Sequence, residues 1–317
     1  MTHHLPTAAD VRRAATRIAG HVHLTPVFTC RAIDTRAGAE VFSKAENLQK
    51  VGAFKARGAL NAVLSLDSRS LARGIATHSS GNHGQAVAYA AQVVGAEAVV
   101  VMPDHAPTVK VDAVRGYGAR VVMCRQSERE AVLADLVEAN AYTVVHPFDD
   151  ARVIAGQGTA VLELLSQVHD LDVVVTPIGG GGLLSGSTLA ASTLGIPTIG
   201  AEPVVVDDAA RSLESRTRLG PTGNLSVGDG LLTGIGELAF EILSAAGTRI
   251  LTVTEDEIME ATRFVVARTK YLIEPSAGTA YAAIFANPDL FRGSRVGVVV
   301  SGGNVDLAMI GTWPRTP

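Results

Sequence analysis

Short apolar runs rich in β-branched residues recur along this chain, each separated from the next by a segment with helical spacing. Ala98–Met102, Arg120–Met123, Thr143–His146, Val173–Ile178, Thr198–Glu202 and Val296–Val300 read as strands. Helices are expected over Thr7–Gly20, Ala53–Leu66, Gln85–Val94, Lys110–Tyr117, Ser127–Asn140, Gly158–Ser166, Gly182–Leu194, Glu255–Thr269 and Ser276–Ala286. A strand with one wet face alternates polar and apolar residues. These runs do not alternate, so both of their faces must be covered. Buried strands joined through helices imply parallel βαβ units and an α/β fold. One long stretch, Pro203–Gly230, shows no clear period and reads as irregular.

Ligands of such sheets bind outside the carboxyl ends of the strands, so the loops there carry the information. The strand Val173–Ile178 runs into Gly179-Gly180-Gly181-Gly182 and then a helix. Four glycines let backbone N–H groups converge, and the helix start adds partial positive charge, which together suit a phosphate. A Walker loop would need Gly-Lys-Ser/Thr where Leu183-Leu184 stands. A dinucleotide fingerprint would need a further glycine where Leu184 or Ser185 stands. A plain tight turn is the simpler alternative, although two glycines suffice for that.

Lys55, in Gly52-Ala53-Phe54-Lys55-Ala56-Arg57-Gly58, falls at a helix start, the end that disfavours cations. Read alone it is a solvated lysine. A lowered pKa there would suit a nucleophile or base. His78-Ser79-Ser80-Gly81-Asn82-His83-Gly84-Gln85 is a polar, glycine-broken loop entering a helix, disposed to hold a carboxylate or merely to cap the helix. Ser301-Gly302-Gly303-Asn304 follows the last strand.

Composition removes other classes. A net charge of −4 and 4% aromatic residues argue against a nucleic-acid binder. No apolar run approaches the ~20 residues of a membrane span, and the opening lacks a signal-peptide core. Two cysteines, Cys30 and Cys124, cannot form a disulfide framework. The expected setting is the reducing cytoplasm.

Glu46–Gly58, Ser79–Gln85, the tetraglycine loop, Leu272–Gly278 and Val300–Leu307, in that order, resemble the fold-type II pyridoxal-phosphate enzymes, specifically the serine/threonine dehydratase and serine racemase family. The resemblance spans essentially the whole chain. It implies a large cofactor-binding domain from 1–72 and 143–317, with a small domain inserted at 73–142 and the cofactor between them. It implies that Lys55 holds pyridoxal phosphate covalently and removes the Cα proton, with Phe54 beside it. Gly179, Gly180, Gly181, Gly182 and Leu183 would hold the phosphate. Asn82 would meet the ring hydroxyl and Ser301 the ring nitrogen. Ser79, Asn82 and His83 would hold the carboxylate of an amino-acid substrate. A neutral hydroxyl at the ring nitrogen gives a weaker electron sink, which favours elimination.

The implied reaction converts L-serine, L-threonine or a related β-hydroxy amino acid to a 2-oxo acid and ammonia. Racemisation of serine and dehydration of threo-3-hydroxyaspartate are alternatives on the same scaffold. Ser80 would supply the proton for racemisation, and Arg129 would meet an acidic substrate unless it is only a surface arginine. A protein that binds a phosphate ligand without chemistry is the alternative of a different class, and Lys55 speaks against it. Glu202, Asp208 and the Val206 carbonyl match the family's divalent-cation site, suited to Mg²⁺, Ca²⁺ or Mn²⁺. The apolar Val204-Val205-Val206 departs from the small polar residues usual there, and a solvated acidic loop is the simpler reading. A homodimer is implied. The chain ends at Pro317, so no C-terminal regulatory domain is expected.

Overall fold

A computed structural model describes residues 4–79, 81–106 and 108–310. Its strands are β1 (Val27–Phe28), β2 (Glu40–Lys44), β3 (Ile75–His78), β4 (Ala98–Pro103), β5 (Arg120–Cys124), β6 (Thr143–Val144), β7 (Val173–Pro177), β8 (Thr198–Pro203), β9 (Arg249–Val253) and β10 (Arg295–Val299). They form two sheets, β1-β2-β10-β7-β8-β9 and β5-β4-β3-β6. Every neighbouring pair is parallel except β1 with β2. Helices flank both sheets, so the α/β architecture expected from the sequence is present. The second sheet takes its strands from Ile75 to Val144.

Doubly covered strands explain the apolar runs. In β4, Val99, Val100, Val101 and Met102 are all fully buried. Burying each such side chain contributes about 1.5–3 kcal/mol. Helix starts follow local chemistry. Thr7 and Asp10 form a capping box at Ala8–Ile18, and Thr254 and Glu257 form another at Glu255–Thr269.

The helix Ala151–Gln167 begins seven residues before the expected Gly158. Gly156 and Gly158 weaken the sequence signal there, and both are used for contact. A Cβ on Gly156 would lie 2.6 Å from the Arg57 carbonyl, and one on Gly158 would lie 2.4 Å from the Gly186 carbonyl. The helices Lys55–Leu64 and Gly182–Ala191 therefore both pack against this one helix, backbone to backbone. Pro203–Gly230 is less irregular than expected, since it contains the helix Asp208–Ser215. No helix among the described residues is long and apolar enough to cross a membrane.

Candidate active site

Three loops leave the carboxyl ends of parallel strands and converge. Ser79 and Gly81 lie beyond β3, 178–181 follow β7, and 300–304 follow β10. Together with the start of Lys55–Leu64 they line one cavity. Its walls include Phe54, Lys55, Ser79, Asn82, His83, Arg129, Gly179, Gly180, Gly181, Gly182, Leu183 and Ser301. Ser80 lies outside the described residues.

Lys55 is placed by the turn before it. Val51 and Gly52 both have left-handed φ, 56° and 67°. The chain then bridges to the β10 loop, with Ala53 paired to Gly302 and the Phe54 N–H donating to the Ser301 carbonyl at 3.0 Å. Lys55 Nζ donates to the Pro147 carbonyl at 2.8 Å and stands 5.2 Å from the Phe54 ring centroid. The lowered pKa expected of Lys55 is present, at about 8. Burial is its main cause, and the Glu274 carboxylate opposes it.

The same helix is anchored by charge. Arg57 Nε and Nη2 each donate to Glu46 at 2.7 Å, and Nη2 also reaches Glu163 at 2.6 Å. Lys44 Nζ bonds to Glu163 at 3.0 Å and to the Thr25 carbonyl at 2.7 Å. Arg57, Glu46 and Lys44 are fully buried.

In the tetraglycine loop, Gly181 caps the helix Gly182–Ala191 with φ +85°, a conformation that disfavours other residues. The Phe148 ring covers Gly180, where a Cβ would lie 2.2 Å from it. The loop's first helical N–H groups are unsatisfied within the helix, as at any helix start, and the loop lines the cavity.

Burial disfavours the charged form of the cavity histidines His78 and His83 and of His146 beside them. His146 Nδ1 accepts the Asp149 N–H at 2.9 Å, and His83 Nε2 pairs with the Val145 carbonyl at 3.1 Å. Burial pushes His83 well below its ordinary pKa and lowers His146. Burial, aided by His146 and Arg129, brings His78 to about 4. Arg129 is half-buried in the cavity wall, its Nε donating to the Gln126 carbonyl at 3.3 Å. Among the described residues it has no carboxylate partner.

Several residues that line the cavity or contact its lining carry no role assigned from the sequence. Glu274 falls within the resembling segment Leu272–Gly278, and Asn304 within Val300–Leu307, and neither is singled out there. Lys110, paired with Asp229 at the cavity, gives no local signal, because the two meet only through the fold. Phe148 and His146 follow β6 and are equally silent in sequence.

Glu202 is the penultimate residue of β8, Val206 lies in the following 3-10 turn, and Asp208 begins the next helix. Glu202 accepts the Ala209 and Ala210 N–H groups at 3.0 and 2.9 Å. Asp208 accepts that of Ile235 at 2.9 Å. Both carboxyls are buried. Burial, reinforced by Asp208 and Asp207, raises Glu202 to about 8, and burial raises Asp208 as well. Among the described residues no cluster of three or more His, Cys, Asp or Glu side chains is suited to a metal. An ion here would need backbone and water oxygens too.

The fold and the glycine cradle facing a buried lysine define a class, the cofactor-dependent enzymes that hold a phosphate at a helix start and a carbonyl on an amine. Residues 18–302 match the family described as pyridoxal-phosphate dependent enzyme, and the chain belongs to it, as a fold-type II member. It is 46% identical over 312 residues to a serine racemase from Dictyostelium discoideum, covering 96% of each chain. It is 43% identical over 308 residues to a β-hydroxyaspartate dehydratase from Paracoccus denitrificans, covering 96% of this chain and 98% of that one. A solved structure of threonine deaminase, from the organism abbreviated T.th., superposes with a TM-score of 0.90 at 42% identity, over 95% of this chain and 99% of that chain.

Proposed function

We propose that this chain converts a β-hydroxy-α-amino acid to a 2-oxo acid and ammonia, the water lost in elimination being regained in the hydrolysis that frees ammonia, with pyridoxal phosphate held by Lys55. The observation that carries this is the single cavity shared by Lys55, the tetraglycine loop, Asn82 and Ser301. The residues fit the cofactor. The cradle at Gly180 excludes side chains, the loop offers helix-start N–H groups to a phosphate, and a buried amine of pKa about 8 faces the same space. When bound, the cofactor withdraws electrons from the substrate Cα. Lys55, neutral in a substantial fraction near its pKa, takes the Cα proton. Ser79, Asn82 and His83, at the start of Asn82–Val94, orient the substrate carboxylate through the N–H groups of that helix start. Ser301, 3% exposed, offers a neutral hydroxyl to the ring nitrogen, which favours elimination. Phe54 and Leu183 exclude water.

The test is a panel of L-serine, L-threonine, D-serine and threo-3-hydroxyaspartate, scored for oxo acid and for enantiomer. The purified protein should absorb visible light, and borohydride should abolish that band. Lys55→Ala should lose the band and about 10²–10⁴ of kcat or more. A colourless wild-type protein after incubation with the cofactor would defeat the reading.

A second reading is favoured by Arg129, a cation in the cavity wall with no acidic partner among the described residues, and it makes a substrate with a second carboxylate the preferred one. Racemisation through Ser80 is a parallel activity. Ser80→Ala should suppress inversion and elimination from D-serine far more than elimination from L-serine.

Glu202, Asp208 and the Val206 carbonyl are proposed to hold Mg²⁺ or a similar hard cation. Burial raises both carboxyls, and Asp208 and Asp207 raise Glu202 further; a divalent ion would offset that cost. The 73–142 segment is proposed as a small domain that closes over the substrate. The working form is proposed as a cytoplasmic homodimer.

A further inference from the structure

Glu274 is a cavity carboxyl that the proposed chemistry leaves unused. It is 5% exposed. Asn82 Nδ2 donates to its two oxygens at 2.9 and 3.2 Å, and the Asn304 N–H donates to Oε2 at 3.2 Å. Asn304 Nδ2 in turn donates to Asn82 Oδ1 at 2.8 Å and to the Val51 carbonyl at 2.7 Å. Gly302 presses on the carboxyl, since a Cβ there would stand 2.5 Å from Oε1.

These bonds leave the Asn82 amide one orientation. Flipped, its oxygen would face two carboxylate oxygens and its N–H groups would face those of Asn304, with every contact repulsive. We infer that Glu274 is a positioning residue, which together with Asn304 holds the Asn82 amide in the orientation the cofactor's ring hydroxyl would meet. The inference rests on the proposed place of Asn82 at the cofactor.

The groups facing Glu274 are Asp229 and the cations Lys55 and Lys110. Burial and Asp229 raise its pKa to about 7, while Asn82, Lys110 and the Asn304 N–H hold it down. Protonation removes an acceptor from Asn82 and the negative charge that opposes the lowering at Lys55. Burial pushes His78, His83 and His146 down, away from this range.

The test is absorbance of the cofactor-loaded protein, read as the ratio of its visible to its near-ultraviolet band across pH values around 7. Wild type should show a step with a midpoint near 7. Glu274→Gln, which keeps size but cannot ionise, should flatten the step and raise the cofactor Kd severalfold. Glu274→Asp should keep a step with a shifted midpoint, and it serves if the Gln variant does not fold. A wild-type step in the Gln variant, or an unmoved midpoint in the Asp variant, overturns the inference and leaves the proposed function standing. A wild-type protein that shows no visible band at all overturns both.

Discussion

The Arg57 guanidinium grips both carboxylate oxygens of Glu46 at 2.7 Å, two residues beyond Lys55 on the same helix. Neither side chain reaches solvent, so neither charge has water to fall back on. Removing Arg57 leaves the buried Glu46 carboxylate without its guanidinium, whereas Arg57 keeps Glu163 if Glu46 is removed. Arg57→Ala should destabilise the cofactor-free protein by about 3–5 kcal/mol. Pairing it with Glu46→Gln should recover part of that loss. Urea unfolding of the three proteins checks it, and a single variant within about 1 kcal/mol of wild type, the net worth of one ordinary hydrogen bond, would contradict it.

The tetraglycine loop makes a steric prediction. Gly180→Ala would drive a methyl into the Phe148 ring, since the Cβ would lie 2.2 Å from it. Overpacking of that kind costs about 1–3 kcal/mol. Cofactor affinity should fall with it, and Phe148→Leu in the same chain should restore part of both. Thermal melts with cofactor titrations read the two effects, and a Gly180→Ala protein that binds cofactor as wild type does would refute the cradle.

Arg129 tests the substrate. A charge-assisted bond to a distal carboxylate contributes about 2 kcal/mol, or about thirtyfold. The ratio of kcat/KM for threo-3-hydroxyaspartate to that for L-serine should fall by about that factor in Arg129→Leu. An unchanged ratio would return Arg129 to the role of a helix-surface cation.

The Glu202 and Asp208 pair tests the metal through pH. Glu202 has a folded-state pKa raised to about 8, so without an ion its protonated form stabilises the fold at low pH. That stability is lost as pH rises through about 8. In chelator, Tm should therefore fall across this range. Saturating Mg²⁺ should flatten the fall and raise Tm above pH 8 by about 5 °C. Asp208→Ala should abolish the response to Mg²⁺. Identical melting curves with chelator and with Mg²⁺ would remove the site.

What the sequence reveals depends on how local the cause is. The tetraglycine turn and the start of Asn82–Val94 are written in consecutive residues, and so are the buried strands β4, β7 and β10. β1 is only two residues long, and β2 and β9 carry charged ends, Glu40, Lys44 and Arg249, so their periods are too short to read. Glu274 shows the harder case. Its meaning comes from Asn82 and Asn304, which lie 192 and 30 positions away along the chain. Lys110 and Asp229 lie 119 positions apart and are similarly mute.

The glycine crossings of Ala151–Gln167 divide the molecule mechanically. One rod carries the lysine helix on one flank and the tetraglycine-loop helix on another, with no side chain between backbones to act as a shim. The spacing between amine and anion cradle is thus hard-wired, while Ser79, His78 and Arg129 hang on a separate sheet. A lineage with this plan can retune which amino acid it accepts through a few exchanges on that second sheet. Gly58, Gly156, Gly158 and Gly186 stay closed to experiment.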